Sequence, residues 1–254
     1  MRLNSSTVEM SPRDLGRKIT LPKKLTEQLS ELIGIILGDG HLGLYPGITK
    51  KGHRFVRSNI VVSGHSKEIK YLKYVMELFK KLFNLEMVHR KDHGENAVIL
   101  KAHSKGILQF LNKVCEVPIN DKSGIITIPS IIKKSTSKNK FSFLRGLCDT
   151  DFSICFKKKT KKGHTYPVIK AAFKSKKLVE DLEKLYSELG FKYCVLYNER
   201  RYDKRYRECK YINTIYLNGK NNLLKWIDRV GFSNSKFKKK VGKWQKEGFC
   251  PPGY

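Results

Sequence analysis

Apolar and polar positions change period along this chain, and the changes recur. From Thr26 the apolar residues Leu29, Leu32, Ile33, Ile36 and Leu37 fall at helical spacing, and the run stops at Asp39-Gly40. Thr26 is placed to cap that helix. Residues 41–48 and 54–63 read as two strands joined by a basic turn with Gly47 and Gly52. Ser66 then opens a helix whose buried stripe is Ile69, Leu72, Val75, Met76, Phe79 and Leu82. Residues 85–91 and 96–102 form a second strand pair, and residues 105–114 a third helix. Residues 116–138 carry Pro118, Pro129 and a polar run, and read as a linker with a strand-like piece at 125–128. The order then restarts: helix 139–150, strands 152–158 and 166–173, a helix capped by Ser175, strands 191–199 and 210–217, and helix 220–230.

The second pass is an echo of the first. Leu32-Ile33-Gly34-Ile35-Ile36-Leu37-Gly38-Asp39-Gly40 matches Leu144-Arg145-Gly146-Leu147-Cys148-Asp149-Thr150-Asp151-Phe152 at a constant offset of 112 residues (151 − 39). A fixed internal period marks a duplicated unit. The offset drifts to about 117 in the later strands, which the long turn at 200–209 absorbs, since loops tolerate insertions. The pattern predicts an α+β chain of tandem αββαββα repeats. Its boundaries are an N-terminal extension 1–24 that wraps the core or stays mobile, a first half 25–123, a linker 124–138, a second half 139–236 and a basic tail 237–254. Ser30, Gly34 and Gly38 share one helix face, as do Ser142, Gly146 and Thr150. Glycine inside a helix costs about 0.5–1 kcal/mol, so two such stripes predict a compensating contact, each helix against the other.

Charge narrows the partner. Lys and Arg number 52 against 23 Asp and Glu, a formal +29. Such a charge repels itself unless something anionic offsets it. Nucleic acid is the first candidate and an anionic membrane surface the second. No run of about 18 apolar residues occurs, and the N-terminus lacks a signal-peptide core. Six cysteines are scattered without a Cys-x-x-Cys pair, which suits reduced thiols. The expected location is intracellular, in cytoplasm, nucleoid or organelle matrix, and not secreted. His89 and His93 are four apart, but on a strand and turn, so no zinc site is expected.

If the two helices pair nearly parallel, Asp39 and Asp151 converge at two helix ends that are already negative. A divalent cation relieves that, and carboxylates with water and phosphate suit Mg²⁺. The two stretches resemble the signature motifs of the LAGLIDADG homing endonucleases, in the monomeric, pseudo-symmetric branch, over residues 25–236. The resemblance implies a pair of motif helices between the halves and two antiparallel four-stranded sheets that form a saddle over the DNA major groove. It implies metal held at Asp39 and Asp151, with Gly38 and Thr150 adjoining, and Mg²⁺ as cofactor, Mn²⁺ or Ca²⁺ serving for binding. It implies double-strand cleavage across the minor groove of a long, pseudo-palindromic or asymmetric target, leaving short 3′ overhangs. Lys122 and Lys236 match the lysine that orders solvent in that family. Departures are Leu37, Phe152, and Gly64 and Phe173 where a polar residue is common, with His65 and Lys174 as nearest substitutes. DNA contacts are expected from Tyr45, Lys50, Arg54, Arg57 and Asn59, and from Lys157, Lys159, Lys174, Tyr197, Arg200, Arg205 and Tyr211. The competing readings are an intron-RNA maturase or a non-catalytic DNA-binding protein on the same fold. No protein-splicing block is visible at either end, so an intron-encoded or free-standing chain is expected.

Overall fold

The computed structural model describes residues 1–91, 96–160, 163–203 and 207–253. The expected DNA contact Arg205 and the histidine His93 lie outside them. The chain forms two compact units, Met1–Lys122 with Pro129–Leu147, and Ser123–Ile128 with Cys148–Tyr254.

The first unit begins with the extension, which is docked. Ser11 and Asp14 make a reciprocal capping box for the short helix α1 (Pro12–Gly16). The Asp14 carboxylate also accepts the Gly106 N–H at 3.0 Å, and Thr20 N–H donates to the Phe83 carbonyl at 3.1 Å. Of the two fates open to residues 1–24, the structure has them wrapped on the first half. Helix α2 (Glu27–Gly38) is capped by Thr26, whose hydroxyl accepts Leu29 N–H, and every residue from Leu29 to Leu37 is buried. Strands β1 (Gly40–Ile48), β2 (Arg54–His65), β3 (Val88–Lys91) and β4 (Ala97–His103) form an antiparallel sheet in the order β1-β2-β4-β3. Between β2 and β3 lies α3 (Ile69–Phe83). Its approach is a 3-10 turn capped by the His65 imidazole, not by Ser66, because β2 runs two residues further than its apolar pattern suggests. After β4 come α4 (Lys105–Gln109), continued as a π turn to Val114, then α5 (Ser130–Lys133) and α6 (Ser137–Asp151).

The second unit repeats the plan. Strands β5 (Phe152–Thr160), β6 (Gly163–Phe173), β7 (Cys194–Asp203) and β8 (Glu208–Asn218) are ordered β5-β6-β8-β7, with α7 (Lys176–Glu188) and α8 (Lys220–Arg229) packed on one face. Registers correct the offset. It falls to 109 at β2 and β6 (171 − 62) and rises to 115 at β4 and β8 (215 − 100), the gain lying in the longer β7–β8 hairpin. Residues 125–128 are not a strand. Their backbone is held by side chains instead: the Asp181 carboxylate accepts Ile128 N–H, and Ser175 donates to the Ile126 carbonyl.

The basic tail expected from residue 237 begins as a helix. Helix α9 (Ser235–Glu247) buries Phe237, Val241 and Trp244. Trp244 stacks on Phe156 at 5.8 Å and its indole N–H donates to the Thr165 carbonyl at 2.8 Å. Lysine density hides this apolar stripe in the sequence. All six cysteines are unpaired. No helix among the described residues is long and apolar enough to cross a membrane.

Candidate metal and nucleic-acid site

The site is built on the seam of α2 and α6. Gly34 and Gly146 stand where the two backbones come closest. A Cβ on Gly34 would lie 2.8 Å from the Leu147 nitrogen and nearer still to the Phe143 carbonyl oxygen. One on Gly146 would meet the Glu31 carbonyl oxygen and, at 3.0 Å, the Ile35 nitrogen. Ser30 and Ser142 are buried on the same faces, and Gly38 and Thr150 are half-buried near the helix ends. The seam also holds an ion pair, Arg145 to the buried Glu31 at 2.7 Å.

Helix α2 stops at Asp39, which is exposed and has φ −83° and ψ 2°. The carbonyls that end a helix lack intrahelical partners and carry partial negative charge. Here one cation meets three of them. The Lys122 ammonium donates to the carbonyls of Ile36, Leu37 and Gly38 at 2.6, 2.7 and 2.6 Å. The loop reaches that position because Asn120 N–H pairs with the Leu42 carbonyl at 2.7 Å. Opposite Asp39 the β ladder continues, Ser63 N–H donating to the Asp39 carbonyl at 3.0 Å.

The second half meets the same problem differently. Asp151 is exposed at the end of α6. Two residues earlier Asp149 is buried, and its carboxylate accepts Ser233 N–H at 2.7 Å and Asn234 N–H at 3.0 Å. Asn234 returns a bond to the Asp149 carbonyl and caps α9 through Lys236 N–H. Lys236 thus follows directly on a tether to the motif helix, with its ammonium 4.8 Å from the Phe237 ring.

Strand alternation sorts the other expected residues. Leu42, Ile60, Val62 and Leu100 are buried on the helix side of the first sheet, so Tyr45, Arg57, Asn59, Ser63 and His65 share the open side. Arg54 falls on the helix side, one step out of phase with Arg57, and Lys50 is exposed in the turn. Gly64 also faces the helices: a Cβ there would meet Leu72 at 2.7 Å. Phe173 does likewise, packed on Phe152 at 6.2 Å. The open-face positions beside the acids are therefore Ser63 and His65, and Ala172 and Lys174. The strand-end offset of one residue concealed this.

In the second sheet Lys157 and Lys170 share the open side, and Lys157 stands 5.9 Å from the Tyr216 ring. Lys159 lies 3.7 Å over the Tyr166 ring, and Lys174 is exposed just past β6. Tyr197 is not on that face. Its hydroxyl donates to Glu183 on α7, because a bulge between Leu196 and Glu199 turns the strand. Arg200 pairs with Tyr211 across β7 and β8, both exposed and on the side opposite Arg201. Arg201, absent from the sequence expectation, bonds Glu199 and Thr214, each at 2.9 Å. Among the described residues no three His, Cys, Asp or Glu side chains cluster. Each helix end by itself offers a carboxylate, backbone carbonyls and solvent, an oxygen set that suits a hard divalent cation.

The family model for a LAGLIDADG-like domain matches residues 138–231. Solved structures share the fold. Variants of the homing endonuclease I-DmoI are 18% identical with a TM-score of 0.53, over 81% of this chain and 95% of that one. I-DmoI in complex with DNA and Mn is 17% identical with a TM-score of 0.53, over 82% and 98%. I-SmaMI bound to its uncleaved DNA target in the presence of calcium ions is 16% identical with a TM-score of 0.56, over 89% and 91%. Two curated relatives come from Methanocaldococcus jannaschii. A glutamine–fructose-6-phosphate aminotransferase is 30% identical over 134 residues, 52% of this chain, and a replication factor C small subunit is 25% identical over 234 residues, 89% of this chain. The matched segment is 11% of each relative's length, and their names have no activity in common, so neither activity carries over.

Proposed function

We propose that this chain, with its LAGLIDADG-like domain and the two-sheet fold of I-DmoI, is a site-specific double-strand DNA endonuclease. The observation that carries the reading is the doubled acid. Each repeat ends its seam helix in an exposed aspartate five residues beyond the crossing glycine, 34 to 39 and 146 to 151. A pure binder needs neither carboxylate. Asp39 and Asp151 would hold divalent metal, Mg²⁺ by preference, with the Thr150 carbonyl adjoining, the Gly38 carbonyl being taken by Lys122. Bound metal would supply Lewis acidity to the attacking water and the leaving phosphodiester oxygen. Lys122 offsets the negative end of α2 beside Asp39. Ser63 and His65, and Lys174 in the second half, offer polar groups on the open faces beside the acids. Lys157, Lys159 and Arg57 contact duplex DNA, much of it through phosphate, which positions without specifying. The cut crosses the minor groove and leaves short 3′ overhangs, and the chain acts as a monomer inside the cell.

The test uses Asp39→Asn and Asp151→Asn on the joined sequence of the DNA that flanks the gene. Fluorescence anisotropy in Ca²⁺ should find binding retained in both, while double-strand cleavage in Mg²⁺ is abolished. Retained cleavage in both single variants would overturn the mechanism. Binding without cleavage by the wild-type chain would favour the non-catalytic reading.

A further inference from the structure

The first sheet has a notch. Strand β2 begins at Arg54, but its ladder with β4 starts only at Asn59, opposite His103. Residues 54–58 thus lack a strand neighbour on that side, and the N-terminal extension closes the gap. What remains is a groove of about 510 Å³ lined by Arg13, Phe55, Arg57, Ser58, His103 and Lys105, with Asp14 at its floor. Asp14 is engaged by Ser11 and the Gly106 N–H, and Lys105 is paired with Glu9 at 2.5 Å. Arg57 lies 5.7 Å from the Phe55 ring. The His103 ring donates to the Ser58 backbone, and its Nδ1 is buried without a protein partner.

We propose that this notch is an anion-binding site that seats one backbone phosphate of duplex DNA, with Arg13 and Arg57 as its cations and the His103 imidazolium as an added positive charge beside it. The proposal rests on the DNA-binding reading above and gives the N-terminal extension a part in it. It also assigns the Arg57 contact to phosphate. The groups facing His103 are Arg57 from β2, Arg13, Asp14 and Arg17 from the extension, Lys101 on its own strand and Lys105 after it. Burial, then Lys101, Arg57 and Arg13, hold the imidazole below its ordinary pKa, against the Ser58 bond that raises it. Seating a phosphate favours the imidazolium, so binding takes up a proton and strengthens as pH falls through the bound-state midpoint.

The test follows the His103 ring by NMR through a pH titration of the whole chain, assigned with His103→Gln. It is run free, with inorganic phosphate and with duplex DNA. Phosphate and DNA should both raise the midpoint, Arg13→Ala should remove the shift, and Arg13→Lys should restore part of it. In anisotropy, Arg13→Ala should weaken DNA binding about tenfold and lower the slope of log K against log salt by about 0.9, with sequence preference unchanged. A shift with phosphate but none with bound DNA would overturn the duplex as its source. No shift with either would overturn the site. A chain that binds no duplex at all would sink the functional reading, and the phosphate arm would still decide whether the notch takes anions.

Discussion

Gly34→Ala puts the helix seam under direct strain. Alanine is better than glycine inside a helix by about 1 kcal/mol, so in isolation the change would stabilise α2. The new Cβ, however, would lie under 3.0 Å from two backbone atoms of α6, at Phe143 and Leu147. Backbone atoms cannot rotate away as a side-chain tip can, so the helices must part. Overpacking costs about 1–3 kcal/mol, and a double backbone clash belongs at the upper end. The net is a loss of about 2 kcal/mol. Gly242→Ala is the matched control. It lies inside α9 with nothing within 4 Å of an added Cβ, so it should gain about 1 kcal/mol by the same propensity. At about 2–4 °C per kcal/mol for a chain of this size, Gly34→Ala should lower the thermal midpoint by about 4–8 °C while Gly242→Ala raises it. Circular dichroism melts read both. A Gly34→Ala midpoint at or above wild type would refute the seam.

Two further variants probe the supports. Lys122→Met leaves three terminal carbonyls of α2 without their cation, and guanidinium denaturation should register a loss of about 1.5–3 kcal/mol together with reduced cleavage. Unchanged stability with cleavage lost would assign Lys122 to chemistry alone. For Asp14, burial would raise the carboxyl, but bonds from the Gly106 N–H and Ser11 outweigh it and hold the pKa below its ordinary value. A depressed folded-state pKa gives stability that is present above the unfolded value and lost as pH falls through the folded one. Asp14→Asn should therefore be less stable than wild type at neutral pH, with the two denaturation midpoints converging below about pH 4. Parallel curves down to acid would contradict this.

Periodicity and the repeat carried most of the architecture. The residues that escaped did so for specific reasons. Gly64 and Phe173 looked like positions beside the acids because the sequence locates strand ends only roughly, and one residue of error exchanges the two faces of a sheet. Tyr197 was misplaced by a bulge, which no alternation pattern announces. The notch at His103 depends on where β4 stops beside β2, and its Arg13 comes from a segment docked largely by polar contacts, Asp14 to Gly106, Glu9 to Lys105 and Thr20 to Phe83, which no apolar pattern announces. The apolar stripe of α9 was legible at Phe237, Val241 and Trp244, but lysines on the remaining faces made it read as tail.

Sequence equivalence also overstates the symmetry of the two acids. Asp39 and Asp151 sit at the same place in their repeats, yet the side chains around them differ. A lysine ammonium crowns α2, whereas α6 is tied down by the neutral Asn234 through a buried carboxylate at Asp149. In the first half that carboxylate position is Leu37. Across the ladder Asp39 has the hydroxyl-bearing Ser63, while the register one step past Phe152 and Ala171 places Ala172 opposite Asp151. The two positions thus differ in charge and in hydrogen-bonding capacity before any ligand arrives. A duplicated motif on one chain is free to diverge in this way, whereas two copies of a single sequence are not.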